Sequence, residues 1–136
     1  MRTPNEEDLE AVRRAYQWML DNSPGPQMRF SDIDTVMEYI ATASQEGRAF
    51  VWEGYLLLFH IGSPWYSKKL YLIEELVIRI HKTDKTSTQA VGMLEGIARA
   101  GGCVLMAAGD TQVGHMAKIY TAEGFAPIGT QFVKEL

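Results

Sequence analysis

Two neighbouring carboxylates stand within an apolar segment. Glu74 and Glu75 lie in Leu70–Ile80, a run rich in β-branched and aromatic residues that predicts a β-strand. An apolar cleft raises the pKa of a carboxyl group toward the range in which it can accept a proton from an ammonium group. Side chains alternate across a strand, so we expect one glutamate to face a cleft, although a bulge would change which one. A solvated pair at the end of a sheet is the alternative interpretation.

A polar run before a predicted helix could bind phosphate. The run is Lys85-Thr86-Ser87-Thr88-Gln89-Ala90, and the residues after it have helical apolar spacing. A helix N-terminus offers unpaired main-chain N–H groups and about half a positive charge, which favour anions. The alternative interpretation is that the hydroxyl residues of this run only cap the helix.

A tyrosine and the histidines complete the set of reactive side chains. Tyr120 lies on a predicted helix, where its phenol could donate to a developing negative charge or simply pack in the core. His60 is expected to be a hydrogen-bonded strand residue, with a reserve role as a proton acceptor. The spacing of His60, His81 and His115 matches no zinc signature, and Cys103 is the single cysteine. The sequence therefore predicts no metal site and no intrachain disulfide.

Composition and charge limit the class of protein. The chain has 136 residues, which suits one domain over residues 1–136, and 46% hydrophobic with 22% charged residues is typical of a globular protein. A net charge of −4 argues against a nucleic-acid partner. The first residues have no apolar signal core, and Tyr55–Ile61 is far shorter than the roughly 20 residues that span a membrane. We therefore expect a cytoplasmic protein without a membrane partner.

The hydrophobic pattern predicts an alternation of helices and strands in the order ααβββαβαβ(β), a mixed α/β layer architecture. The first helix is expected to begin at a capping box, Thr3-Pro4-Asn5-Glu6, and the second near Asp32. A turn at Glu53-Gly54 predicts a hairpin. The remaining predicted elements are the strand Leu70–Ile80, a helix after the polar run, the strand Cys103–Ala108, the helix of Tyr120, and one or two strands in Phe125–Leu136.

The order of elements and two segments resemble the GNAT superfamily of acyl-CoA-dependent N-acetyltransferases. The first segment runs from Leu76-Val77-Ile78-Arg79-Ile80 to Leu94, and the second is Tyr120-Thr121-Ala122-Glu123-Gly124-Phe125, which fits the recurrent Tyr-x-x-x-Gly-Phe of the family. The resemblance covers most of the chain. It implies an α/β (mixed α+β) fold with a central, mixed, mostly antiparallel sheet of about six to seven strands and about four flanking helices.

The resemblance also implies a reaction, the direct transfer of an acetyl group from acetyl-CoA to a primary amine in a ternary complex. Glu74, or Glu75, would remove the proton from the amine, and Tyr120 would return a proton to the sulfur of coenzyme A. Main-chain N–H groups would hold the carbonyl oxygen where the third strand and the Cys103–Ala108 strand separate. The residues implied in cofactor binding are Ile78, Arg79, Ile80, Lys85, Thr86, Ser87, Thr88, Gln89 and Ala90.

The phosphate-binding turn departs from the family pattern, which is Arg or Gln, two residues, Gly, one residue, then Gly or Ala. Lys85 stands at the first position, Thr88 replaces the first glycine, and Ala90 fits the last position. The branched side chain of Thr88 could obstruct a pyrophosphate where the family leaves the backbone bare. Alternatively, the hydroxyls of Ser87 and Thr88 and the ammonium of Lys85 could join the ligand shell.

This departure motivates a second hypothesis of a different class. A chain with this fold but impaired catalysis could bind and modulate a partner protein through the Trp65–Tyr66 loop or a sheet edge. A homodimer through the sheet edge is also compatible with the sequence. The acceptor could be a small amine or a protein amine, since no specificity motif is present.

Overall fold

The structure is a computed structural model and describes residues 1–22, 25–109, 116–128, 132 and 134–136. None of the helices in these ranges is long and apolar enough to cross a membrane. Four helices have seven residues or more, and α2 is a single turn that the sequence did not predict. The elements are α1 (Glu6–Asn22), α2 (Pro26–Arg29), α3 (Ile33–Gln45), β1 (Ala49–Trp52), β2 (Tyr55–Gly62), β3 (Tyr71–Arg79), α4 (Ser87–Ala100), β4 (Leu105–Ala107) and α5 (Met116–Ala122).

The strands form one mixed sheet in the order β1-β2-β3-β4. Neighbouring strands are antiparallel from β1 to β3, and β4 lies parallel to β3. The α+β class is confirmed, but the described residues contain four strands rather than the predicted six to seven. Positions 125–128, 132 and 134–136 form no strand, and the rest of the predicted C-terminal strands lies outside the described residues. Pro127 lacks a main-chain donor, and Ile128 is 96% exposed, so neither residue suits the interior of a sheet.

The hairpin between β1 and β2 has the predicted turn. Glu53 and Gly54 have φ values of 45° and 86°, and two positive φ values give the turn whose twist matches that of the strands. The main-chain oxygen of Gly54 accepts hydrogen bonds from the N–H groups of Ile80 and His81, at 2.9 and 3.1 Å. A Cβ atom at Gly54 would lie 3.0 Å from the carbonyl oxygen of His81, so this close approach requires glycine.

Helices cover both faces of the sheet. On the face covered by α1 and α3, called the α1/α3 face, the buried side chains are Val12, Ile40, Ala43, Ala49, Val51, Leu56 and Leu58. On the opposite face, called the α4 face, they are Tyr55, Leu57, Phe59, Leu72, Ala90, Leu94 and Ala98. Because side chains alternate along β2, its apolar run supplies both clusters, which explains why this strand is hydrophobic throughout.

The start of α1 differs from the predicted capping box. The assignment of Thr3 as the cap with Glu6 as its partner is wrong, because Asn5 and Asp8 form the reciprocal pair. The side-chain oxygen of Asn5 accepts from the N–H of Asp8, and the Asp8 carboxylate accepts from the N–H of Asn5, both at 2.9 Å. Asp8 is preferred here because its carboxylate also has partners in the tertiary structure.

The carboxylate of Asp8 joins three segments of the chain. It is 1% exposed, accepts from Nη2 of Arg2 at 3.0 Å, and lies 2.8 Å from Nε2 of His81. Arg2 also exchanges two main-chain hydrogen bonds with Val51. The guanidinium of Arg2 holds the pKa of Asp8 well below its usual range, with further help from Asn5 and His81. Asp8 therefore ties the N-terminus and α1 to the segment that follows β3.

We expect Asp8→Asn to lower the free energy of unfolding at pH 7 by about 2 kcal/mol, because it removes a buried charge that accepts several hydrogen bonds. The pKa of Asp8 is lower in the folded than in the unfolded state, where it is about 3.9. Its contribution is therefore present above pH ~3.9 and is lost as the pH falls further. Urea unfolding at several pH values measures this difference.

The matched control is Glu10→Gln, an exposed carboxylate on the same helix, which should change stability by less than about 0.5 kcal/mol. Equal effects of the two substitutions on the free energy of unfolding would contradict the role of Asp8 in joining these segments. The same holds if the difference in that free energy between wild type and Asp8→Asn does not shrink in acid.

Candidate functional site

A β-bulge separates the two glutamates of β3. Leu58 pairs with Leu76, but the next residue of β2, Phe59, pairs with Glu74, so Glu75 has no partner in the register. The bulge places Glu75 and Leu76 on the α1/α3 face, where both line the same pocket. Glu74 falls on the α4 face, the face on which Leu72 is buried. One extra residue thus sends two adjacent carboxylates to opposite sides of the sheet.

Glu74 and Tyr120 meet on the α4 face. The hydroxyl of Tyr120 donates a hydrogen bond to Oε2 of Glu74. Burial raises the pKa of Glu74 to about 7, against the opposing effect of the hydrogen bond from Tyr120. A carboxyl group with this pKa exchanges protons readily near neutral pH. The predicted pair of Glu74 and Tyr120 is therefore brought together, although 46 residues separate them.

The Tyr-x-x-x-Gly-Phe segment explains how Tyr120 is held. Helix α5 ends at Ala122, and Gly124 has a φ of 88°, which reverses the chain. The N–H of Phe125 then donates to the carbonyl of Tyr120 at 2.9 Å. The two rings pack with centroids 5.1 Å apart, and Tyr120 is 7% exposed. The segment therefore fixes the direction of the phenol toward β3.

Glu75 belongs to a different cluster on the α1/α3 face. Its Oε1 lies 2.6 Å from Nδ1 of His60 and 3.9 Å from Nη1 of Arg48. Hydrogen bonding to Glu75 raises the pKa of Tyr39, whose ring also lies 5.4 Å from the guanidinium of Arg48. Sequence reasoning found neither Arg48 nor Tyr39, because only the register of β2 and β3 brings them to Glu75. His115, the remaining histidine, lies outside the described residues.

The sheet opens beside Glu74. Strand β4 pairs with β3 only from Tyr71 to Ile73, whereas β2 pairs with β3 on the other side as far as Arg79. From Glu74 onward, no described strand pairs with the β4 side of β3. The family resemblance implies that β3 separates from the Cys103–Ala108 strand, and within the described residues the pairing of β3 with β4 ends at Ile73.

The polar run before α4 forms a helix cap with spare donors. Thr86 accepts from the N–H of Gln89 at 3.2 Å, and the side chain of Gln89 accepts from the N–H of Thr86 at 3.0 Å. Thr86 therefore caps α4, and this cap is compatible with both interpretations of the run. Within the described part of the chain, the N–H groups of Ser87 and Thr88 donate to no protein group. The cap thus leaves two main-chain donors for an anion.

Most other side chains in the expected cofactor region have structural partners. Ile78 and Ile80 pack against the core of the α1/α3 face, and Ala90 of α4 is buried in the core of the α4 face. Arg79 donates to the carbonyl oxygens of His81 and Thr83, at 3.4 and 3.2 Å. The carbonyl of Lys85 accepts from the hydroxyl of Tyr55 at 3.3 Å. These residues can therefore offer a ligand mainly their main chain, together with the Lys85 ammonium.

Solved structures of several acetyltransferases have this fold. A possible acetyltransferase from Clostridium difficile 630 is 10% identical with a TM-score of 0.65, and the match covers 99% of this chain and 95% of that one. A GNAT family acetyltransferase from Staphylococcus aureus subsp. aureus USA300_TCH1516 is 12% identical with a TM-score of 0.60, over 99% and 96% of the two chains. A Trypanosoma brucei acetyltransferase is 14% identical with a TM-score of 0.57, over 99% and 97%. No protein-family model matches the sequence, and no curated protein is significantly similar to it.

We expect Tyr120→Phe to raise the pKa of Glu74 above its value of about 7, because the hydrogen bond from the phenol is what opposes burial. Carbon-detected NMR titration of the glutamate carboxyl groups measures this shift. Tyr71→Phe, on the same strand but in ring contact with Tyr66, should leave that pKa unchanged. A fall in the pKa of Glu74 in Tyr120→Phe would show that the phenol does not stabilise the carboxylate.

Proposed function

We propose that this chain, which has the fold of the GNAT acetyltransferases, transfers an acetyl group from acetyl-CoA to a primary amine. The proposal rests on one observation. Glu74 and Tyr120 form a hydrogen-bonded pair near the point where the pairing of β3 with β4 ends. The pair combines a carboxyl group with a pKa of about 7 and a phenol that points at it. A proton acceptor and a proton donor are thus in contact near the end of the β3–β4 pairing, and direct acyl transfer to an amine uses one of each.

Glu74 acts as the general base. At neutral pH a large fraction of it is carboxylate, and that form accepts the proton that the amine must lose before or during attack. Glu75 is the weaker candidate, since it lies on the opposite face and is held by His60 and Arg48. The positions of the two glutamates therefore support Glu74 over Glu75 as the proposed base.

Tyr120 acts as the general acid. Acetyl-CoA supplies a thioester, and its transfer forms a carbon–nitrogen bond while the carbon–sulfur bond breaks. The phenol donates its proton to the departing sulfur, and Glu74 can restore that proton through their hydrogen bond. The proton lost by the amine thereby ends on the thiol, and no covalent enzyme intermediate is needed.

Main-chain groups supply the binding surface for the cofactor. The β4 side of β3, from Glu74 onward, offers N–H groups that can hold a carbonyl oxygen or pair with the amides of an extended ligand arm. At α4, the N–H groups of Ser87 and Thr88 and the half-buried Thr88 hydroxyl lie where a diphosphate would bind. The threonine at the position of a family glycine is accommodated if its hydroxyl faces the ligand.

A second candidate function rests on the loop after β2. Trp65 is 95% exposed and Tyr66 is 64% exposed, with their rings 5.4 Å apart, and aromatic residues in such positions are frequent anchors of protein interfaces. A catalytically impaired chain could bind a partner protein through this loop. The two functions differ in the first experiment below, since a binding module requires no acetyl-CoA.

Purified protein with acetyl-CoA and a panel of primary amines should release free thiol. We expect the rate to rise with pH through about 7, because only the carboxylate form of Glu74 accepts a proton. Glu74→Gln should lower kcat by about 10²-fold or more, and Tyr120→Phe by about tenfold or more. Thiol detection by a chromogenic disulfide measures each rate.

Glu95→Gln is the control for the removal of a carboxylate, because the partner of Glu95 within the described residues is Arg99, in a surface pair at 2.7 Å. It should retain wild-type kcat. Thiol release that is absent for every amine, together with no thermal stabilisation by acetyl-CoA, would reject the enzyme and favour the binding module.

Cofactor binding at α4 can be tested by deleting one main-chain donor. Ser87 is the first residue of the helix, where proline is favoured, and Thr86 has an extended backbone with φ −111° and ψ 159°, which suits a residue before proline. Ser87→Pro should therefore fold normally but weaken coenzyme A binding about tenfold, as measured by calorimetry.

The matched control is Ser87→Ala, which removes the hydroxyl and keeps the N–H. Its loss of affinity for coenzyme A should be clearly smaller than that of Ser87→Pro. Equal affinity of Ser87→Pro and wild type would exclude the N-terminus of α4 as the diphosphate site.

A further inference from the structure

The α1/α3 face contains a pocket that the proposed transfer machinery does not use. Its volume is about 330 Å³, and it lies between the two helices and the strands β2 and β3. The walls are mostly apolar, from side chains that include Val36, Ile40 and Leu58, and the rings of Tyr16 and Tyr39 also line it. A cavity of this size and character suits a compact organic molecule.

Glu75 is the only charged side chain among the eight residues that line this pocket. The bulge turns it into the cavity beside Leu76, and 19% of its side chain is exposed. His60 and Arg48 hold the carboxylate from outside the lining. Arg48 is the more closely paired with Glu46, at 2.6 Å against 3.9 Å to Glu75, so its charge is largely compensated elsewhere.

The lining combines a carboxylate with apolar walls, and this combination favours a ligand that is both cationic and apolar. A carboxylate in a partly desolvated setting attracts a cation more strongly than it would in water and repels an anion. The ring of Tyr16 adds attraction for a cation, whereas the ring of Tyr39 already lies 5.4 Å from the Arg48 guanidinium. The apolar walls favour a hydrocarbon body over a polar one. A ligand with a single positive end and a compact apolar body satisfies all of these groups.

We propose that this pocket binds a compact, apolar primary ammonium compound, with Glu75 as the anchor of its charged end. The site itself follows from the lining. A bound amine that is also the acetyl acceptor rests on the proposed function and would have to leave Glu75 to reach Glu74 on the other face, and a non-reacting ligand of the same chemistry is the other source. Glu75 is then a specificity-determining residue, distinct from the base Glu74.

The test compares three probes that share a ring and differ in charge: benzylamine, benzyl alcohol and benzoate. Calorimetry on the wild-type chain should show benzylamine binding at least about tenfold more tightly than benzyl alcohol, with benzoate weakest. NMR shifts should be centred on Tyr16 and Tyr39. Equal affinity for the amine and the alcohol, or shifts centred elsewhere, would overturn the site, and this comparison needs no variant to fold.

Two variants test whether Glu75 causes the preference for benzylamine over benzyl alcohol. Glu75→Gln keeps the shape of the side chain and should weaken benzylamine binding at least about tenfold while leaving benzyl alcohol binding unchanged. Glu74→Gln, on the other face, should bind benzylamine like the wild type while losing transfer. Retained benzylamine affinity in Glu75→Gln would refute Glu75 as the anchor.

The same samples separate the two sources of the ligand. With acetyl-CoA added, thiol release that depends on both benzylamine and Glu75 identifies the bound amine as the acceptor. Binding that requires Glu75 but gives no thiol supports the site as one for a non-reacting ligand and counts only against benzylamine as the acceptor.

Discussion

The β-bulge at Glu75 determines which glutamate contacts Tyr120 and which one lines the pocket on the α1/α3 face. Counted backward from Leu76 on the α1/α3 face, regular alternation would put Glu75 on the α4 face and Glu74 on the α1/α3 face. The extra residue reverses both positions. Tyr120 therefore meets Glu74, and Glu75 enters the pocket beneath α1 and α3. The bulge occurs where the pairing of β3 with β4 ends, so the irregular strand and the open sheet form one local feature.

Two buried carboxylates in this chain show how partners decide the state of an acid. Asp8 and Glu74 are both withdrawn from water, yet the pKa of Asp8 is lowered and that of Glu74 is raised. Arg2 compensates the charge of Asp8, whereas Glu74 has only the neutral phenol of Tyr120 among its described partners. The first arrangement stabilises the fold at neutral pH, and the second costs stability above the pKa of Glu74 and provides a base.

The sequence was sufficient to predict the turns and helix starts that depend on neighbouring residues. Glycine and turn chemistry located the hairpin at Glu53-Gly54, and Thr86 began α4 as its capping residues indicated. It was insufficient where tertiary contacts decide. The preference for the Asn5–Asp8 cap over Thr3 depends on Arg2 and on a segment more than 70 residues away. The face of each glutamate depended on a bulge, which no periodicity in Leu70–Ile80 reveals.

The placement of the two glutamates also separates cation binding from proton removal, two functions that one carboxylate cannot perform well at the same time. A carboxylate that pairs with an ammonium ion is stabilised in its charged form, so its pKa falls and it becomes a poorer base. A carboxylate that must remove a proton needs the opposite, a desolvated site without a cation, and Glu74 is buried with only Tyr120 as its partner among the described residues. Adjacent residues on opposite faces of one strand can meet the two demands separately, with Glu75 holding a cation on one face and Glu74 acting as the proposed base on the other. The bulge supplies that separation at the cost of a single unpaired residue.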